Sequence, residues 1–103
     1  MRRYRNYKEH LIEKLKDTEY ASAYLNACLE ESVETKNMGI FQLAVRDVVE
    51  AHGGMSEISS KMEVSRESFY RSLSQTGKAR FSTLVSAIKA CGLELEFHPS
   101  HGP

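Results

Sequence analysis

One short stretch of this chain alternates, and nearly everything before it turns with a helical period. Leu93-Glu94-Leu95-Glu96-Phe97 puts three apolar residues on one strand face and two acids on the other. No second stretch of that kind occurs in the 103 residues. A lone strand leaves its backbone groups unpaired. The chain is therefore expected to be all-α, a compact helical bundle. Its C-terminal strand either frays or pairs with the same strand of another copy across a two-fold axis, and the clean alternation favours pairing.

The helical stretches are delimited by caps and stops. Asn6 is expected to cap a first helix with Leu11, Ile12 and Leu15 on its apolar stripe. Asp17 or Thr18 caps a second, with Ala21, Tyr24, Leu25, Cys28 and Leu29 inward. The run ESVETKNMG breaks the pattern and reads as a connection. A third helix from about Ile40 to His52 carries Phe41, Ala44, Val45, Val48 and Val49, and Gly53-Gly54 should stop it. Ser56 is expected to cap a short helix to about Met62, and Ser65 the next, to about Ser74. After the loop SQTGKAR, Ser82 caps a last helix with Leu84, Val85, Ile88 and Cys91 inward and Gly92 as its stop. The expected division is an N-terminal helical arm over residues 1–36, a domain with the C-terminal strand over 37–97, and a tail over 98–103, where His98 and His101 flank Pro-Ser.

Several classes are excluded. No run of about 18 apolar residues is present, so no membrane span is expected. The basic N-terminus lacks the apolar core of a signal peptide, so a cytoplasmic protein is expected. Cys28 and Cys91 are far apart and read as two buried thiols. The four histidines make no metal-ligand spacing. With no nucleophile triad, phosphate loop or close carboxylate pair in a readable context, no enzyme, cofactor or metal is expected.

The formal charge is zero, but it is unevenly spread. From Asp17 to Glu34 there are five acids and no Lys or Arg. From Lys61 to Lys89 there are six bases against two acids, a balance of 6 − 2, or +4. Such asymmetry suggests an anionic partner for the second half and a cationic one for the first, with the acidic stretch 17–34 as the surface for a basic partner. The rival reading is that both runs are simply hydrated faces.

Residues 55–74 carry the sharpest signal. Ile58 and Met62 would bury one side of a short helix, Val64 would fill a corner, and Phe69 and Leu73 would bury the next helix. Ser72 is small where the helices cross. That register leaves Arg66, Glu67, Tyr70, Arg71 and Ser74 outward, with Ser65 at the helix tip. Arginine can take a guanine edge with two hydrogen bonds, and glutamate can accept from cytosine. Lys78 and Arg80 follow in position to clamp phosphates, and Ser56 begins the preceding helix. A helix-turn-helix reading the major groove is expected, against a helical hairpin whose polar face is merely wet.

The run GGMSEISSKMEVSRESFYRSLSQTGKARFSTLVSAIKACGLELEF, with AYLNACLEE and LAVRDVVEAHGGM upstream, resembles the antidote proteins of bacterial toxin–antitoxin (addiction) modules, of the HigA-like, Xre-type kind. The resemblance covers about Tyr7 to Phe97. It implies a lambda-repressor-like DNA-binding domain and a homodimer that represses its own operon. It also implies a RelE/HigB-like toxin as protein partner. By resemblance, DNA contacts fall on Ser65, Arg66, Glu67, Tyr70 and Arg71. The sequence departs from the family pattern at Glu57, where glutamine is common, at Ser59, where alanine is usual, and at Glu63, where glycine often makes the corner. Two rival readings remain. One is a stand-alone Xre-type transcriptional regulator; the other is a protein-interaction module that has lost DNA.

Overall fold

Six helices follow one another: α1 (Arg2–Leu15), α2 (Thr18–Thr35), α3 (Gly39–Ala51), α4 (Gly54–Met62), α5 (Arg66–Ser72) and α6 (Phe81–Ala90). The computed structural model describes residues 2–74 and 77–100, with side chains from Asn6 onward. His101 of the tail and Gln75 and Thr76 of the loop lie outside the described residues. Among the described residues none is in a strand, so the segment 93–97 does not form the expected one. Within a single chain it has no ladder to join.

The all-helical expectation holds, and helix α3 is its centre, packing on α1, α2, α4 and α6. Its expected stripe, Phe41, Ala44, Val45, Val48 and Val49, is buried throughout. Leu15, Ala21 and Leu25 join the same core as Ile58, Phe69, Leu73, Leu84 and Ile88. The first two helices are thus packed down. The radius of gyration is 13.9 Å, close to the roughly 13 Å of a compact chain of about 100 residues. No helix among the described residues is long and apolar enough to cross a membrane.

Several boundaries differ from the sequence reading. Helix α1 begins at Arg2, so Asn6 lies inside it instead of capping it. Asp17 does cap α2, accepting from the Glu19 amide at 2.9 Å. That helix continues through Glu31–Thr35, the stretch expected to be a connection, and stops at Lys36 in the left-handed region. The polar look of that turn has a structural cause. Ser32 is fully buried, and its hydroxyl accepts from the Phe41 amide at 2.8 Å. One of the unpaired donors at the start of α3 is satisfied in this way.

At the other end of α3, His52 Nε2 lies 2.7 Å from the Leu15 carbonyl. A carbonyl can only accept, so His52 carries a proton on Nε2 and ties the ends of α1 and α3 together. Gly53 and Gly54 both take positive φ, at 126° and 87°. Gly53 directly follows the α3 cap residue His52, so the pair ends that helix as expected and also launches α4, a sharp reversal that side chains would resist. Ser56 therefore sits within α4 and does not cap it. Likewise Arg80, not Ser82, is the residue before α6, and Ser82 lies in that helix's first turn.

Candidate nucleic-acid interface

The corner between α4 and α5 is built from local hydrogen bonds. Glu63 closes α4 in the left-handed region, at φ 59° and ψ 42°. Its amide donates to Ser60 O at 3.1 Å, and the Val64 amide donates to Ser59 O at 3.0 Å. A non-glycine residue held there costs about 1–2 kcal/mol. Ser65 then caps α5, its hydroxyl accepting from the Ser68 amide at 3.0 Å. The elbow buries Ile58, Ser59, Phe69 and Leu73. The small Ser59 fits inside because its hydroxyl donates to the Ser56 carbonyl at 3.1 Å. Val64 was expected to fill this corner. It is 45% exposed, because the chain leaves the left-handed Glu63 turned outward.

With Phe69 and Leu73 inward, Arg66, Glu67, Tyr70 and Arg71 lie outward as the helical register requires. Arg66, Glu67, Arg71, Lys78 and Arg80 are exposed and form no salt bridge with another described residue. Their charges remain available to a ligand. Ser56 is also exposed, at the start of α4, beside Glu57. Glu57 pairs with Lys61 at 3.6 Å, one turn on, which partly offsets its repulsion of an anion.

Two of the expected contacts are already engaged inside the protein. The Ser74 hydroxyl donates to the Arg71 carbonyl at 2.8 Å. Tyr70 receives a hydrogen bond from Arg46 Nη2 at 3.2 Å, and the guanidinium lies over its ring, 4.9 Å from the centroid. Arg46 Nε is buried without a hydrogen-bond partner, with Glu50 Oε1 at 3.6 Å. Arg46 therefore braces α5 from α3, and it adds a positive charge beside the face that the sequence reading did not count.

The larger omission is Gln42. This buried amide closes the loop after α5 with three hydrogen bonds. Its Nε2 donates to Ser74 O at 3.0 Å and Gly77 O at 2.9 Å, and its Oε1 accepts from the Ala79 amide at 2.9 Å. Both faces of the amide are matched, as a buried polar group requires. Lys78 and Arg80 flank the clamped Ala79, so their backbone is set before any ligand arrives. Gly77 is needed in the same loop: a Cβ there would collide with the Arg71 carbonyl and come within 2.6 Å of Ser72 O. One signal for Gln42 was present. Gln42, Val45 and Val49 share a helix face at spacings of three and four, so a polar residue stood in line with the core.

A second polar group lies on the opposite side of α3. Asp47 takes Lys8 Nζ at 3.1 Å and the Tyr24 hydroxyl at 3.3 Å. Burial disfavours the Lys8 ammonium, but the hydrogen bond and charge of Asp47 outweigh it and raise its pKa. Burial, then the Asp47 carboxylate, pushes the Tyr24 phenol up. This group docks α1 and α2 on α3 and is separate from the α5 face.

Comparison with known proteins agrees over almost the whole chain. A family model described as "Probable addiction module antidote protein" matches residues 6–99. A protein of Haemophilus influenzae described as uncharacterized is 33% identical over 90 residues, 87% of this chain and 88% of its own length. No solved structure matches. A match of that extent makes the chain a member of the addiction-module antidote family.

Proposed function

We propose that this protein is the antitoxin of a type II toxin–antitoxin module. It neutralises a RelE/HigB-like toxin and, as a cytoplasmic homodimer, binds operator DNA to repress its own operon. In this reading α4 and α5 form a helix-turn-helix of the Xre type, in the HigA-like branch of the antidotes, and the protein works by binding, without catalysis. Family membership supports a toxin partner. The observation that carries the DNA reading is the α5 face: Arg66, Glu67 and Arg71 stand free on a capped helix, beside a basic loop whose backbone is clamped by Gln42. Base-edge contacts fall to Arg66, Glu67 and Arg71. Phosphate contacts fall to Lys78, Arg80, Ser56 and the α5 amides near Ser65. Tyr70 and Ser74 serve mainly through their internal bonds.

The test is a gel shift on the protein's own promoter across a salt series. Arg66→Ala and Arg71→Ala should each weaken specific binding by about 1–3 kcal/mol. Lys78→Ala should weaken all sequences alike and flatten the log–log salt slope by roughly 0.9. Unchanged shifts for all three variants would remove this face as the DNA reader.

A further inference from the structure

The C-terminal segment borders a groove that the DNA reading does not use. It is a cavity of about 290 Å³ between α2, α6 and residues 93–98. Leu25, Leu29, Phe41, Ile88 and Leu95 supply its apolar walls. Phe97 stands at its edge and is 93% exposed. Val33, one turn beyond Leu29 on α2, is 64% exposed and prolongs the apolar stripe. Among the described residues, the backbone of 94–98 joins no backbone–backbone hydrogen bond. Unburied aromatic surface next to unpaired backbone is a docking edge of the kind that accepts an extended segment.

Its charge selects the occupant. Glu94 and Glu96 line the groove, and Glu30 lies one turn beyond the lining residue Asn26. The residues lining the groove include two acids and no Lys or Arg, and Lys89 of α6 borders Glu94 and Leu95 outside it. The one basic group among the lining residues is His98, 3.7 Å from Glu96 Oε2. A second copy of this chain is a poor fit. A two-fold contact sets the same patch against itself, and a self-paired ribbon centred on Leu95 would set Glu94 of each copy opposite Glu96 of the other. Like charges directly opposite destabilise such a pair. A partner with basic side chains around an apolar one meets both the rim and the walls.

The geometry points to this groove as the toxin-binding surface of the antitoxin, holding a cationic patch of the toxin around an inserted apolar side chain. The inference rests on the antitoxin reading proposed above, and it replaces the self-paired strand expected from the alternation of 93–97. DNA and toxin would then occupy separate faces, since the groove contains no residue of α4 or α5.

The test uses the full chain and the protein encoded by the adjacent gene of its module, co-expressed, purified and titrated by calorimetry. The wild type should bind, more weakly as salt rises. Glu94→Lys/Glu96→Lys and Phe97→Ala should each lower the affinity about tenfold or more, with melting temperature and promoter binding unchanged. Arg66→Ala should leave that affinity intact. No binding by the wild type would overturn the antitoxin reading itself. Binding by the wild type that both groove variants match would overturn this inference alone. So would variants that retain toxin affinity but lower the sedimentation mass of the isolated protein, because the groove would then belong to a second copy.

Discussion

The two faces of this molecule differ in how completely they are finished. On the α5 face the loop carbonyls of Ser74 and Gly77 and the Ala79 amide are all taken by Gln42. On the α2 face the backbone of 94–98 has no such partner among the described residues, and apolar side chains stand in solvent. The first is preorganised, as suits a rigid, regular ligand such as duplex DNA, because little ordering remains to oppose binding. The second is left open, as suits a protein whose own segment can complete it. One small fold thus holds a rigid surface and an adaptable one on either side of α3 and α6.

The contrast can be broken by truncation. Phe69 is 2% exposed at the elbow, so Phe69→Ala should cost about 3–5 kcal/mol of stability in urea denaturation. Leu95, 41% exposed at the groove, should cost well under about 1 kcal/mol when cut to alanine. Equal costs would mean that the groove is as much a part of the folded core as the elbow.

Gln42 supplies the next largest effect. Gln42→Leu keeps the volume but removes three hydrogen bonds to a loop backbone, and should cost about 2–3 kcal/mol. Hydrogen exchange at the Ala79 amide should accelerate sharply in the variant, whereas the amides of 94–97 should exchange fast in both proteins. If Ala79 is unprotected in the wild type, the clamp does not order the loop and the distinction between the faces falls.

A smaller effect runs the other way. Glu63 and Lys36 are the described non-glycine residues at positive φ. Glu63→Gly should raise stability by about 1 kcal/mol by removing the side-chain strain, less the extra freedom that glycine gives the unfolded chain. It should also remove a negative charge near the α5 face and tighten promoter binding modestly. A loss of stability would show that the Glu63 side chain has a favourable role.

An effect confined to high pH concerns the thiols. Burial pushes Cys91 up to about 11, and it raises Cys28 as well. A raised folded pKa means that the stabilisation is full below the unfolded thiol value, near about 8.5, and is lost as pH rises toward the folded one. Stability should therefore decline between about pH 9 and pH 11. At pH 8, Ellman's reagent should label half-buried Cys28 before buried Cys91. Fast labelling of Cys91 would mean that α6 opens easily from the core.

What the sequence disclosed was the part of the fold written in local pattern. The apolar stripe of α3, the cap at Ser65, the corner at Glu63 and the inward pair Phe69 and Leu73 all depend on neighbours within a turn or two. What it hid depends on partners far along the chain. Ser32 looked like loop because its reason for burial is the Phe41 amide, beyond the next corner. Gln42 was passed over because its three partners lie 32 to 37 positions away. Gly53-Gly54 was read only as a stop, and its second role at the start of α4 was not, because positive φ serves equally to end one helix or to begin the next. Arg66, Glu67 and Arg71 were legible through the register of Phe69 and Leu73. The groove beside Phe97 was not, since its walls come from α2, α3 and α6 at once.

The Gln42 clamp also orders events in time. The α4–α5 corner closes through hydrogen bonds spanning only a few residues, which form early and at little entropic cost. Joining Gln42 to Ala79 closes a segment of 37 residues, and that closure must wait until α3 and α5 are already positioned. During synthesis α3 emerges well before the loop it will hold, so the basic face should be completed only after that loop has followed. A φ-value near zero at Gln42, against a higher one at the Ser65 cap, is the kinetic signature of that order.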